Sequence, residues 1–330
     1  MLSMVDLSLS ATLLLVGALW LALAIDRWLG EPAARWHPVV WMGFYLGWVG
    51  AFIAPQRAQT GAADYKRLGL GALAWLAGGA LVLIVALLLQ QTAQQLPALL
   101  GLLLLGLLLK PLLAWRMLRG EVLAVEAALA ESLPAGRARL AWLVSRDVQA
   151  LSAAEVRESA IESLAENLND SVVAPIFWFV LLGLPGAALY RFANTADAMW
   201  GYRGLYQGRD WAWAGKWAAR ADDVLSWLPA RLTALLLALV NGGLSLRALR
   251  WEAGRTPSPN SGWPMAAMAL ALDVSLRKPG VYVLHAAGRA PQAGDTVRAV
   301  VLGSKVVLAL SFIVAAAIVL IAFSAREVWP

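Results

Sequence analysis

Residues 68–113 have the sequence LGLGALAWLAGGALVLIVALLLQQTAQQLPALLGLLLLGLLLKPLL, in which two apolar runs are separated by a short polar link. The runs 68–89 and 96–113 are each close to the roughly 20 residues that cross a bilayer as a helix. The link contains four glutamines and no charge, whereas the segment before the first run carries Arg57 and Lys66. Because cytoplasmic loops are enriched in Lys and Arg, the two runs are predicted to form a membrane hairpin entered from the cytoplasm.

The rest of the chain also has the composition of a membrane protein. Of its 330 residues, 60% are hydrophobic and only 15% are charged, whereas soluble domains are about half apolar. Further apolar runs occupy residues 8–25 and 299–323, with shorter ones at 39–54 and 225–240. Residues 172–193 are apolar but interrupted by prolines and glycines, as is typical of a re-entrant segment. We therefore predict an all-α, polytopic integral membrane helical bundle that forms a single domain.

Composition excludes several classes of site. The chain has no cysteine, which excludes disulfides, iron–sulfur clusters and thiolate zinc sites, and two histidines are too few for a histidine-rich metal site. The net charge of +6 is attributed to cytoplasmic loops rather than to nucleic-acid binding. The N-terminal residues lack the features of a secretory signal, so the first run is expected to be a retained span.

An acidic helix is expected within residues 114–171, a segment predicted to be cytoplasmic and helical. Ser152 and Glu155 have the spacing of a capping box, which predicts a helix over residues 153–168. One face of that helix carries three acids at four-residue spacing, Glu158, Glu162 and Glu166. Stacked carboxylates repel one another unless a positive group lies between them. A solvated helix face explains the spacing equally well at this stage.

Four further polar clusters are candidates for ligand binding. They are Asp26 to His37, Asn194 with Asp197, Arg220 with Asp222 and Asp223, and Ser258 to Asn260. The last three lie in regions 191–224 and 250–295, which are predicted to be polar loops that contribute to a site. Carboxylate and amide oxygens suit Mg²⁺, which is usually shared with substrate phosphates. The structural alternative for Asp222 and Asp223 is that they precede a helix starting at Val224.

Together these clusters resemble the CobD/CbiB family, the membrane adenosylcobinamide-phosphate synthases of cobalamin biosynthesis. Asp26 to Gly43 resembles the family's D-x-x-x-G-[DE]-P and H-P motif, and Glu162 to Asp170 resembles its E-S-x-x-E-N-x-x-D core. Three later stretches also look like family signatures: Tyr190 to Arg203, Ala219 to Leu232 and Ser258 to Gly262. Five ordered motifs that cover most of the chain are more specific than any one of them.

The resemblance implies an ATP-dependent amide ligase that joins adenosylcobyric acid to (R)-1-aminopropan-2-ol or its O-phosphate. The product is adenosylcobinamide or its phosphate. ATP and Mg²⁺ are then the expected cofactors, and the corrinoid is a substrate. The expected location is the cell inner membrane, with the site on the cytoplasmic face, in contact with lipid and with other late enzymes of the pathway but not with nucleic acid.

The resemblance also implies roles for particular residues. Those expected in catalysis are Glu162, Glu166, Arg220, Asp222 and Asp223. Those expected to bind substrate are His37, Asn167, Asn194, Arg203, Ser258 and Asn260. Those expected to bind magnesium are Glu166, Asp170 and Asp197.

Two other classes of function compete with the ligase. One is a membrane sensor or regulatory protein related to the family, like the AmpE-type proteins, in which the acids form a structural network. The other is a transporter, suggested by the interrupted segment 172–193. Transporters of this kind contain internal repeats, and the sequence shows no convincing one.

Overall fold

The computed structural model describes residues 9–56 and 63–328, so residue 8 and Arg57 lie outside it. Within these ranges the chain is predominantly helical, which confirms the predicted all-α class. The helices are α1 (Leu9–Trp28), α2 (Pro38–Ile53), α3 (Tyr65–Gln95), α4 (Ala98–Leu109), α5 (Trp115–Glu131), α6 (Leu133–Leu140), α7 (Ala153–Leu168), α8 (Ala174–Trp200), α9 (Lys216–Leu225), α10 (Trp227–Val240), α11 (Leu246–Ala253), α12 (Gly262–Leu272) and α13 (Ala293–Val328). Two antiparallel hairpins join them, β1 (Leu205–Tyr206) with β2 (Arg209–Asp210) and β3 (Leu276–Lys278) with β4 (Tyr282–Leu284).

The elements pack into two compact units. Unit 1 contains the chain up to Leu113, Ala174–Leu225 and the chain from Val314 onward; unit 2 contains Ala114–Val173 and Ser226–Ile313. Each unit is thus built from segments that are far apart in the sequence. The single membrane domain stays a prediction, because the two units are defined by packing and not by which residues lie in a bilayer.

Several helices are long and apolar enough to cross a membrane. Among the described residues there are four such stretches, Tyr65–Gln95, Ala98–Glu131, Ala153–Trp200 and Ala293–Ala317, or five if α9 and α10 count as one bent span. Three of the four overlap the long runs predicted after the first one, and the fourth, Ala153–Trp200, contains the interrupted segment 172–193. The shorter runs form α2 and α10, whose 16 and 14 residues are fewer than a straight span needs.

The stretch Ala153–Trp200 is interrupted, as predicted: the predicted break at Gly183 is confirmed, whereas the one at Pro175 is replaced by a π-helical turn just before it. Its 48 residues would rise about 72 Å as one straight helix, against a hydrocarbon core of about 30 Å. A π-helical turn at Asn169–Val173 and the non-helical Gly183 (φ 71°, ψ −158°) divide it. Pro175 does not break the helix, because it lies in the first turn of α8, where a proline removes no required hydrogen bond.

Gln90 of α3 secures the break at Gly183. Its Oε1 accepts a hydrogen bond of 2.7 Å from the Leu184 N–H, one of the donors left open where a helix restarts. A Cβ on Gly183 would lie 2.2 Å from the same oxygen, so only glycine leaves room for this contact. The Gln90 side chain therefore satisfies a backbone N–H that has no helical partner at the break.

The two polar regions are more helical than predicted. In region 191–224, α8 continues through Trp200 and α9 begins at Lys216, so only residues 201–215, which include the β1–β2 hairpin, lie outside helices. Region 250–295 likewise contains α12 and part of α11. Asp222 and Asp223 lie inside α9 rather than before a helix start at Val224, because the Ala-rich residues that precede them favour helix. The prediction that they begin a helix was wrong.

Candidate functional site

The acidic face of α7 is buried in unit 2. The predicted capping box is present, since Ser152 Oγ accepts from the Glu155 N–H (3.4 Å) and Glu155 Oε2 accepts from the Ser152 N–H (2.8 Å). Farther along the helix, Glu158 and Glu162 are only 1% and 4% exposed. The alternative of a solvated face is therefore wrong for these two residues.

Each of the two buried glutamates has an arginine partner. Arg277 Nε lies 3.1 Å from Glu158 Oε1, and the Arg277 backbone N–H donates to Glu158 Oε2 (3.2 Å). Arg146 Nη2 lies 3.1 Å from Glu162 Oε2 and 2.6 Å from Ser159 Oγ. The positive charge that stacked carboxylates require thus comes from two arginines outside α7.

A polar cavity of about 180 Å³ adjoins the Arg146–Glu162 pair. The side chains that line it include two cations, Arg146 and Lys278, two acids, Glu162 and Glu166, and the polar Asn167 and Tyr282. Among the described residues, the Glu162 Oε1 and the Arg146 Nε and Nη1 are buried without a hydrogen-bond partner. Buried polar atoms are almost always paired, so unmet atoms on side chains that line a cavity indicate a place for a ligand or for water.

The hairpin of β3 and β4 brings Lys278 and Tyr282 to this cavity. The two residues are paired across the strands, and the Val281 N–H donates to the Lys278 carbonyl (2.9 Å) to close the turn. Gly280 has φ 72° after Pro279, the combination that a type II turn requires. Burial, together with the negative charges of Glu162 and Glu166, raises the pKa of the Tyr282 phenol, so its hydroxyl remains a donor at neutral pH.

The residues at the end of α7 are divided between the cavity and the π-helical turn. Glu166 and Asn167 are half-buried and line the cavity, and the Asn167 amide donates to the Ser163 carbonyl (2.9 Å). Asp170 lies in the π-helical turn, where its Oδ1 accepts from the Asn169 amide (2.7 Å). Of the predicted residues in unit 2, the structure therefore brings Glu162, Glu166 and Asn167 to one cavity.

Ser258 and Asn260 form a turn that Arg231 of α10 holds. The Ser258 hydroxyl accepts from the Asn260 N–H (3.2 Å), and the buried Asn260 Oδ1 accepts from Arg231 Nη1 (3.0 Å). The Arg231 guanidinium lies over the rings of Trp227 and Trp263, at 4.3 and 4.9 Å from their centroids. These contacts assign the pair a part in shaping the start of α12; binding of substrate by either residue stays a prediction.

In unit 1, His37 extends a network of ion pairs that Lys110 forms with two carboxylates. Its Nδ1 accepts from the Val39 N–H (3.3 Å) at the start of α2, so its Nε2 carries the proton and lies 3.2 Å from Glu31 Oε2. Lys110 Nζ lies 2.7 Å from the same oxygen and 3.2 Å from Asp26 Oδ1. Burial alone would raise the pKa of Glu31, but the hydrogen bonds from His37 and Lys110 and the charge of Lys110 outweigh burial and hold that pKa below its usual value.

The remaining predicted residues of unit 1 lie on α8, on α9 and in the turn between them. Asn194 and Asp197 share one face of α8, as their spacing predicted, and are half-buried. Asp222 and Asp223 are half-buried on α9, whereas Arg203 and Arg220 are exposed. Arg203 is close enough for its charge to act on Asp223.

The predicted magnesium ligands do not form a ready-made group. Across residues 9–56 and 63–328, no three His, Cys, Asp or Glu side chains come together in a metal-binding arrangement. Glu166 and Asp170 belong to unit 2 and Asp197 to unit 1. Mg²⁺ is commonly held by only one or two carboxylates together with water and substrate phosphates, so magnesium binding by Glu166 and Asp170 stays a prediction.

Three of the residues that line the cavity or pair with its acids carry no obvious signal in the sequence. Arg146, Lys278 and Tyr282 were not predicted as site residues, although Arg146 lies just before the acidic helix. Lys110, which neutralises Asp26 and Glu31, was also missed. A physical signal was nevertheless available for the three basic residues among them, Arg146, Lys278 and Lys110, because buried carboxylates need cations nearby.

Comparison with known proteins adds an independent observation. The CobD/Cbib protein family model matches residues 19–326. A probable cobalamin biosynthesis protein CobD of Methanothermobacter thermautotrophicus is 41% identical over 275 residues, which cover 82% of this chain and 86% of that protein. The cobalamin biosynthesis protein CobD of Chromobacterium violaceum is 43% identical over 259 residues, which cover 78% and 79%. No solved structure gives a significant match.

Proposed function

The chain belongs to the CobD/CbiB family, and on this premise we propose that it is an ATP-dependent amide ligase of cobalamin biosynthesis. Its substrates are adenosylcobyric acid and (R)-1-aminopropan-2-ol or the O-phosphate of that amine. Its product is adenosylcobinamide or adenosylcobinamide phosphate. The reaction takes place at the cytoplasmic face of the cell inner membrane, where other late enzymes of the pathway are expected as neighbours.

The observation that carries this proposal is the polar cavity of unit 2. Glu162 is nearly fully buried there, keeps one oxygen without a hydrogen-bond partner, and faces a cavity that Glu166 and Tyr282 also line. A buried polar atom without a partner costs about 1–3 kcal/mol, and here the unmet atoms of Glu162 and Arg146 lie on side chains that line the same polar cavity. Maintaining such a cost is typical of a site that binds a polar ligand.

Glu162 and Tyr282 each have a proposed role in amide formation. The carboxylate of the corrinoid is first converted to an acyl phosphate, with ADP as the leaving group. The ammonium group of the amine gives one proton to Glu162 Oε1, the freed nitrogen then bonds to the carbonyl carbon, and inorganic phosphate leaves and takes up the second proton that the nitrogen loses. The Tyr282 hydroxyl donates a hydrogen bond to the oxygen on which negative charge develops.

Phosphate chemistry is assigned to the remaining acids and arginines. Glu166 and Asp170 are the residues that would hold Mg²⁺, and the ion, when bound, screens the charge of the ATP phosphates. Arg203 and Arg220 are exposed cations suited to steadying a phosphoryl group. Asp197, Asp222 and Asp223 are further candidates for the metal or for a second base, and His37 and Asn194 are candidates for binding the amide groups of the corrinoid.

The proposal is tested with the full-length protein purified in detergent. Adenosylcobyric acid and aminopropanol phosphate are supplied with and without ATP and Mg²⁺, and the corrinoid product is followed by mass. We expect product only when all four are present. Correctly inserted Glu166→Gln protein should fail to complement a strain that lacks the synthase, whereas Glu131→Gln, at an exposed acid, should complement it. A folded wild-type protein that binds no corrinoid and hydrolyses no ATP would instead favour the regulatory function.

A further inference from the structure

The polar cavity of unit 2 has a charge pattern that matches one of the two proposed substrates better than the other. Arg146 and Lys278 supply two positive charges, and Glu162 and Glu166 supply two negative ones. We infer that this cavity is the subsite for the small amine, which binds with a phosphate group at Arg146 and Lys278 and with its ammonium group at Glu162. The inference rests on the proposed function and adds the residues that select the phosphorylated amine.

The size of the cavity excludes the corrinoid as its occupant. A volume of about 180 Å³ is smaller than the roughly 300–1,000 Å³ of pockets that hold drug-sized ligands. It has room for a molecule with a few carbon atoms and one phosphate. A corrin ring with its amide side groups is far larger than a drug-sized ligand and has to bind outside this cavity.

The unpaired atoms at the cavity have the polarity that an amino phosphate needs. Among the residues that the structure describes, the Arg146 Nε and Nη1 are donors without an acceptor, and the Glu162 Oε1 is an acceptor without a donor. A phosphate supplies acceptors and an ammonium group supplies donors. An unphosphorylated amino alcohol would satisfy Glu162 but would bring no anion to Arg146.

The local structure holds the side chain of Arg146 in place and leaves that of Lys278 mobile. Arg146 is held from one side by Ser159 and Glu162, so its guanidinium is oriented before the ligand arrives. Lys278 is exposed and stands at the closed turn of the β3–β4 hairpin, so its longer and more flexible side chain can follow the phosphate. Arg146 therefore presents its donors in a fixed orientation, whereas Lys278 supplies a positive charge that can move with the ligand.

The test compares two ligands on three variants of the full-length protein in detergent. Calorimetric titration gives Kd for aminopropanol phosphate and for free aminopropanol, and product formation gives KM and kcat for each amine. We expect Lys278→Gln and Arg146→Gln to weaken binding of the phosphorylated amine roughly 10- to 100-fold, the range for charge-assisted hydrogen bonds. Binding of the free amine should change less than about threefold in Lys278→Gln, as the lost charge faces only the phosphate.

Arg139→Gln is the matched control, because Arg139 pairs with Glu121 and does not line the cavity. It should leave both ligands unaffected. Equal weakening of both amines in Lys278→Gln, or no weakening of either, would overturn the assignment, as would a wild-type protein that binds neither amine. If the wild type binds the amine phosphate in a Lys278-dependent way but makes no amide, the proposed function fails and the subsite stands.

Discussion

The two units of this protein bury ion pairs in different surroundings. In unit 1, Lys110 and Asp26 are 3% and 2% exposed, and the chain of pairs that continues to Glu31 and His37 borders an apolar cavity of about 570 Å³. In unit 2, the Arg146–Glu162 pair lines a polar cavity of about 180 Å³. The first network joins the end of α1, the start of α2 and the turn after α4. Within the described part of the chain, both networks contain a buried carboxylate oxygen without a hydrogen-bond partner, Glu31 Oε1 in the first and Glu162 Oε1 in the second.

This difference shows that a buried ion pair is not by itself a sign of function. Removing charges from water is expensive, and a buried pair often adds little net stability. What distinguishes the two networks is the rest of their surroundings. Where side chains of both charges line a small polar cavity, a ligand is the natural partner; where an apolar cavity lies alongside, the charges chiefly hold helix ends together.

The largest effect is expected from breaking the network of unit 1. Lys110→Met removes the cation between Asp26 and Glu31 and leaves both carboxylates without the positive charge that Lys110 supplied. We expect the free energy of unfolding in detergent to fall by about 3–5 kcal/mol, as for other buried pairs that lose one partner. Thermal unfolding followed by tryptophan fluorescence measures the change. A melting temperature equal to that of the wild type would show that water already screens these charges.

The second effect concerns activity rather than stability. Glu162→Gln keeps the shape of the side chain but removes the proposed base, so kcat should fall about a hundredfold or more. The melting temperature should change far less than in Lys110→Met. The exposed Glu131→Gln serves as the control in the same assay. Full activity of Glu162→Gln would make the two networks equivalent and remove the distinction drawn between them.

A smaller effect is expected from a change in unit 1 that involves no charge. Gly183→Ala places a side chain at φ 71° and ψ −158°, a conformation that is essentially restricted to glycine, and against Gln90. We expect a loss of about 1–3 kcal/mol, measured by the same thermal unfolding. Gly69→Ala, at an open position in helix α3, should be neutral or slightly stabilising. Tolerance of both changes alike would mean that the break is not required.

The smallest effect is a change in pH dependence. Because the pKa of Glu31 is lowered in the folded state, its contribution to stability is present above its ordinary value of 4.5 and is lost as pH falls through the folded-state value. Glu31→Gln should therefore be less stable than the wild type near pH 7, and the gap should close as the pH falls below 4.5 and through the lowered folded-state pKa. Melting temperatures across pH 3–7 measure it, and a gap that is constant with pH would contradict the lowered pKa.

Much of the fold was predictable because it depends on local patterns. The long apolar runs, the capping box at Ser152 and the helix after it are set by residues close together in the sequence, and each is confirmed. The error over Asp222 and Asp223 arose because acids before an apolar run are compatible with both the start and the interior of a helix. Helix propensity of the residues upstream decided between them.

The site was only partly predictable because its cations come from other elements. Four-residue spacing identified Glu162 and Glu166, but nothing in that spacing indicates that Arg146, from before α7, and Lys278, from a hairpin more than a hundred residues later, line the same cavity. Such pairings depend on tertiary packing. The competing interpretations of the acidic face were equivalent until burial separated them.

The contact between Gln90 and the break at Gly183 has a consequence for how the chain is made. The two partners are 94 residues apart, so α3 leaves the ribosome well before Leu184 does. During that interval the Gln90 amide has to be satisfied by water, lipid headgroups or a temporary protein partner. Membrane insertion of α8 therefore also provides the hydrogen-bond partner of Gln90 in α3, a helix made earlier. In Gln90→Leu this contact is lost, and we expect an excess of partly inserted chains that cellular proteases remove.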